Sequence, residues 1–227
     1  MKKKYLTFIL LMAGLAILFS GCNINIGGSS SVRGTGEMVT RSMDIGDFSA
    51  IDVGGNFIIV YRQSPAHALN VVMQENLFEH LEAETRGGTL QIDSRRSFDT
   101  TSANRPRLYI YAPYLTGVDL SGAVSATDWD TVEVQTFTLD ISGAASVNID
   151  LDVERLDIDL SGAASITLSG TANTIDIDGS GAFSVSAGNL LIDGGRVNAS
   201  GAGTVTLSTL ENVDVTTSGA ARVRTAN

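Results

Sequence analysis

The sequence predicts an all-β chain whose second half is a β-solenoid, a parallel β-helix of about six units of ~20 residues preceded by an irregular β region. Three observations predict it. The triplet Ser-Gly-Ala recurs six times, starting at Ser121, Ser142, Ser161, Ser180, Ser200 and Ser218, at intervals of 21, 19, 19, 20 and 18 residues. Apolar and polar residues alternate over strand lengths on both sides of each triplet, and no long stretch repeats apolar residues at helical spacing. With 24 Gly, only 3 Pro and 6% aromatics, the composition is that of short strands joined by tight corners.

The chain opens with Lys2, Lys3 and Lys4, an apolar run from Tyr5 to Phe19, and Ser20-Gly21-Cys22. Residues 1–21 read as a secretion signal, since the run is shorter than the ~20 residues a membrane span needs. "LFSGC" resembles a bacterial lipobox, with Phe19 where the usual motif has Leu. Cys22 is the only cysteine, so it forms no internal disulfide and is the expected lipid attachment site. Several acyl chains there would hold the protein at a membrane, at about 0.8 kcal/mol per buried methylene. Asn23, rather than Asp, resembles outer-membrane sorting in Gram-negative lipoproteins.

Cleavage before Cys22 removes every lysine and leaves 12 Arg against 25 acidic residues, a net charge of −13. Such a surface argues against nucleic acid and against docking to anionic lipid headgroups. It admits cations and cationic partners.

Residues 22–42, which include "NINIGGSSSVRGTG", read as a flexible tether of Gly, Ser and Asn. Residues 43–115 form the irregular β region. "FSAIDV", "NFIIVYR", "ALNVVMQ", "TLQIDS" and "RLYIYA" are its strands, with a helical turn at "NLFEHLEAE" placing Leu77, Phe78 and Leu81 on one face and a polar loop at "RRSFDTTSANRP".

Residues 116–227 hold the repeats. Three residues before each triplet serine stand Val118, Leu139, Ile158, Ile177, Val197 and Val215; five after it stand Ala126, Val147, Ile166, Val185, Val205 and Val223. These two columns are the expected core. Alternation turns the neighbouring columns outward. One of them carries Asp119, Asp140, Asp159 and Asp178, then Asn198 and Thr216. A unit this small cannot enclose a core of its own, so it must stack on its neighbours. Six units at ~4.8 Å give a rod about 25 to 30 Å long. In a stack of corners, Gly tolerates positive φ and close backbone approach, Ala keeps the corner thin, and serine hydroxyls are placed to donate to one another.

This organisation resembles the bacterial family of auto-transporter adhesin head domains called GIN. "FSAIDVGGNFIIVYRQ", "GGTLQI", "RLYIYAPYLTGVDLSGA" and the five later "SGA" units carry the resemblance, over residues 43–224. It implies a β-solenoid, right-handed, displayed at the cell envelope. The chain shows no coiled-coil stalk or translocating barrel, and a lipid on Cys22 would replace both.

Three chemistries are open to these residues. Carboxylate pairs on parallel β-helices can serve polysaccharide-active enzymes, but one Asp per turn also makes a solvated edge, and His67 and His80 lie outside the repeats with no partner for zinc. The Asp119, Asp140, Asp159 and Asp178 ladder, with Asp157 and Asp176 beside it, is a calcium candidate without an EF-hand or Gly-Gly-x-Gly-x-Asp motif. Arg95, Arg96, Arg105 and Arg107, around a loop with Phe98, suit the carboxylates or sulfates of an envelope polysaccharide, and Trp129 could stack on a sugar or cap the first unit. The expectation is a non-enzymatic envelope protein, without cofactor, that displays a repetitive surface for adhesion. A polysaccharide-active enzyme and a purely structural envelope protein are the alternatives; the sequence leaves the ligand and the oligomeric state open.

Overall fold

Branched apolar residues at every second position give each strand one apolar face, and the chain buries that face by coiling around it. The computed structural model describes residues 31–226; the expected secretion signal, Cys22 and the start of the expected tether lie outside the described residues. In chain order the strands are β1 (Val32–Arg33), β2 (Met38–Met43), β3 (Ala50–Gln63), β4 (Ala68–Gln74), β5 (Leu81–Arg86), β6 (Thr89–Ser94), β7 (Phe98–Asp99), β8 (Arg107–Ala112), β9 (Gly117–Trp129), β10 (Val132–Ile141), β11 (Ala144–Leu160), β12 (Ala163–Gly179), β13 (Ser184–Ala199), β14 (Thr204–Leu207), β15 (Val213–Thr217) and β16 (Arg222–Thr225).

From β9 onward every pairing is parallel, between one turn and the next, in a β-solenoid of about five turns. The triplet intervals are the register steps. Leu139 pairs with Val118, a step of 21; Ile158 pairs with Ile177, a step of 19; Val185 pairs with Val205, a step of 20; Val205 pairs with Val223, a step of 18. Where the step changes from 19 to 20, between Thr167 and Ser169, β12 and β13 shift register. An extra residue is absorbed there without turning the following side chains inside out.

The solenoid begins earlier than the triplets suggest. Val53, Gly54 and Gly55 of β3 pair with Leu120, Ser121 and Gly122 of β9, so "IDVGG" is the first rung. Residues 64–116 are an insertion between the first rung and the second, and they cover the N-terminal end. β6 runs parallel to the first part of β3 and pairs antiparallel with β5. β8 runs parallel to its second part and is followed by β4 and β2, both antiparallel. Gly87 and Gly88, both at positive φ, make the tight β5–β6 turn.

Three expectations change here. Residues 38–42, assigned to the tether, belong with Met43 to a strand on β4, because Met38 and Met43 are partly buried at the sheet edge. The helical turn is a 3-10 helix, Glu75–His80, that buries Leu77, whereas Leu81 already belongs to β5. The polar loop is anchored by buried Phe98, packed edge-on to Phe57 with centroids 6.1 Å apart.

Both expected core columns are buried through Val197 and Val205. The last turn differs: Val223 is only partly buried and Val215 is 42% exposed, because no further turn among the described residues covers them. At the corners, a Cβ on Gly143 would lie 2.2 Å from the Gly122 carbonyl oxygen, and one on Gly162 would lie 2.1 Å from that of Gly143. Close approach alone therefore requires glycine at these two corners, whereas Gly181, Gly201 and Gly219 also adopt positive φ. The corner backbone is hydrogen-bonded from turn to turn, as in Ser161 N–H to Ile141 C=O at 2.9 Å. The hydroxyls of Ser180 and Ser200 donate to the carbonyls of Leu160 and Gly179, not to one another.

Candidate functional site

Two outward columns flank each corner on its N-terminal side, and together they form a groove. Asp119, Asp140, Asp159, Asp178, Asn198 and Thr216 stand along one side; Ser142, Ser161, Ser180, Ser200 and Ser218 stand along the other, around a volume of about 580 Å³. Parallel in-register pairing stacks the Asp column, with Asp52 opposite Asp119, Asp119 opposite Asp140, and Asp140 opposite Asp159. At the N-terminal end Asp52 and Ser121 line a second hollow of about 340 Å³ with Glu82, Glu84 and Asp93. Asp52 was not among the residues singled out from the sequence. Its signal was readable, because "IDVGG" matches "VDLSG" once β3 is taken as a rung.

Among the described residues, no arginine or histidine lines the larger groove. The guanidinium groups sit one column further out. Arg155 contacts Asp157 at 2.6 Å and Asp176 at 3.5 Å, and Arg196 approaches Asp176 to 3.9 Å. Asp157 and Asp176 are thus compensated, whereas the groove carboxylates mostly face one another. Burial, then the charges of Asp52 and Asp140, raises the pKa of Asp119. Burial, then the charge of Asp159 and a hydrogen bond to it, raises that of Asp140. Further along, Asn198 Nδ2 donates to Asp178 Oδ1 at 2.8 Å, the contact an amide makes in such a column.

A raised folded-state pKa means that the folded chain holds the proton more tightly than the unfolded chain. The resulting penalty is complete at pH 7 and is relieved as pH falls through the raised folded values toward the ordinary 3.8. Asp140→Asn is therefore expected to raise the melting temperature at pH 7 by a few degrees, at roughly 2–4 °C per kcal/mol for a chain of this size. The advantage should close near pH 4. Melting curves from pH 4 to 8 check this, and a lower melting temperature at pH 7 would contradict it.

The calcium candidates Asp119, Asp140, Asp159 and Asp178 form a column rather than a cage. Among the described residues no three acidic or histidine side chains gather as a metal-ligand set. A column offers an ion two neighbouring carboxylates, against the six to eight oxygens that Ca²⁺ takes.

The arginine candidates do not act as one cluster. Arg95 pairs with Glu82 at 2.5 Å, and Arg96 is exposed. Arg105 is partly buried, donates to the carbonyls of Phe57, at 2.8 Å, and Ala123, and has its pKa lowered by burial. It brackets β3 to β9. Arg107 opens β8, partly buried and paired with Ile58 and Val72. Trp129 is a structural wedge: its Nε1 donates to the Ile59 carbonyl at 3.1 Å, and its ring lies 5.5 Å from that of Tyr61. His67 is held between Asp47 and the Phe48 carbonyl, and His80 lies against Glu79.

Fold and groove define a β-solenoid that displays repeated side-chain ladders on a rigid parallel scaffold. The chain belongs to the family described as "Putative auto-transporter adhesin, head GIN domain", which matches residues 47–227. It is similar to a solved structure of a putative adhesin from Bacteroides fragilis NCTC 9343, at 17% identity over 86% of this chain and 100% of that one, with a TM-score of 0.78. A putative adhesin from Parabacteroides merdae ATCC 43184 aligns at 18% identity over 87% and 99%, with a TM-score of 0.60. A putative lipid binding protein from Parabacteroides distasonis ATCC 8503 aligns at 17% over 87% and 100%, with a TM-score of 0.59. At these identities the likeness is one of fold. No relative among the curated proteins matches the sequence. Among the described residues, no helix is long and apolar enough to cross a membrane.

Proposed function

We propose that the protein is a non-enzymatic envelope lipoprotein of adhesin type, anchored through lipid on Cys22 at the outer membrane, whose Asp–Ser groove engages a neutral or amine-bearing polysaccharide. One observation carries the reading: carboxylates and hydroxyls repeat turn by turn along a single groove, with no cationic side chain among the described residues that line it. Carboxylate, amide and hydroxyl groups hydrogen-bond sugar hydroxyls, and the carboxylates attract ammonium groups while repelling acidic polymers. The Arg95 and Arg96 loop would have selected the opposite charge.

Binding is favoured over hydrolysis by the placement of the acids. Glycoside cleavage sets two carboxyl groups on either side of the scissile bond. Here the carboxylates share one side of the groove and face serines across it.

The test is titration of neutral, amine-bearing and sulfated polysaccharides against the protein and its Asp159→Lys variant. Binding of the first two classes should fall about tenfold or more in the variant, as expected when one member of a close charge set is reversed. Retained affinity, or preference for the sulfated polymer, would defeat the groove as the site. Release of new reducing ends would defeat the non-enzymatic reading, and no binding at all would favour a structural envelope protein. Cys22→Ser should move the protein from the membrane to the soluble fraction.

A further inference from the structure

The two ends of the solenoid are unlike. The first rung, β3, is covered by β6 and β8. Among the described residues, the last turn, β15 and β16, pairs on one side only, with β13 and β14. Its inward side chains show through, with Val215 42% exposed and Val223 partly buried.

From the geometry of this turn we infer that the end is a self-complementary interface for a second copy of the chain, related by a two-fold axis through the Gly219 corner. β15 runs toward that corner and β16 away from it. A two-fold axis lying across the end of the solenoid therefore sets β15 of one copy antiparallel to β16 of its partner, and both contacts form at once.

Hydrogen bonding supports the register. The N–H groups of Ser218, Ala220, Arg222 and Ala226 bond back to the previous turn. Alternation therefore turns the backbone groups of odd-numbered residues toward the open end. Reflection about Gly219 pairs odd with odd: Thr217 with Ala221, Val215 with Val223, and Val213 with Thr225. An antiparallel ladder needs residues that exchange both bonds to face each other; Thr217 with Ala221 and Val215 with Val223 meet that requirement, whereas the Val213 N–H already donates to the Leu210 carbonyl at 3.4 Å and leaves the outermost pair its carbonyl alone.

The side chains agree. Val215 of one copy covers Val223 of the other, closing the apolar column that the single chain leaves open. Asp214 falls opposite Arg224, and Thr216 falls opposite Arg222. Pairing β16 with its own copy would instead set arginines against arginines. Gly219 at the axis removes the side chain that would hold the two corners apart.

Sedimentation equilibrium of the full chain tests the interface, on the parent and on Asp214→Arg, Arg224→Asp and the double exchange. The parent should dimerise, each single reversal should weaken the dimer about tenfold or more, and the double exchange should restore it. Small-angle scattering should show the dimer lengthened along the solenoid axis rather than thickened. A monomeric parent, equal self-association in all four forms, or single losses without restoration in the double exchange would each overturn the proposal.

Discussion

Gly162→Val is expected to lose more than about 4 kcal/mol of stability or to fail to fold, a size reserved for changes the core cannot absorb. The new Cβ would lie 2.1 Å from the carbonyl oxygen of Gly143, an atom of backbone that has no rotamer to change. Relief requires the two corners to separate, which stretches the Ala163 N–H to Gly143 C=O bond, now 3.0 Å, and the bonds on either side of it. Because Gly143 already lies against Gly122, displacement passes to the next turn. Hydrogen exchange should therefore show lost protection in β10 to β12, and denaturation should show a lower midpoint. Ser180→Ala at an equivalent corner removes one hydroxyl contact of 3.3 Å to the Leu160 carbonyl and should cost about 0.5–1.5 kcal/mol. If serine were the essential residue of the triplet, the order of these effects would be reversed.

The same distinction explains what was legible in the sequence. Period and alternation identify which residues share a column, so Ile158 with Ile177, Asp140 with Asp159 and the corner glycines could be aligned without coordinates. The first rung was harder, because "VGG" at 53–55 lacks the serine and the 64–116 insertion breaks the count. The groove needed three dimensions. Alternation says that Asp159 and Ser161 point outward, but not that the surface between their columns is concave. The placement of the arginines was hidden for a related reason: proximity in sequence left Arg105 free to turn inward and bracket β3 to β9, and Arg95 free to pair with Glu82.

Phe183→Ala should cost about 3–5 kcal/mol, the range for emptying a buried aromatic site. Phe183 is 4% exposed and occupies a place filled by Ala145 and Ala164 in the two preceding turns. The solenoid does not widen to admit it. Two glycines yield instead: a Cβ on Gly179 of the same turn, or on Gly203 of the next, would lie 2.2 Å from its ring. Gly203→Ala alone should therefore cost about 1–3 kcal/mol by overpacking. With Phe183 already reduced to Ala, the added methyl enters the vacated space, so Gly203→Ala should become neutral or stabilising. Residues in contact commonly couple by about 0.5–3 kcal/mol, and this pair should fall in the upper part of that range. Urea denaturation of the four forms measures it. Additive costs would mean that the ring and the glycine are accommodated independently, whereas a change of sign would show that one large residue and two absent side chains form a single packing unit spread over two turns.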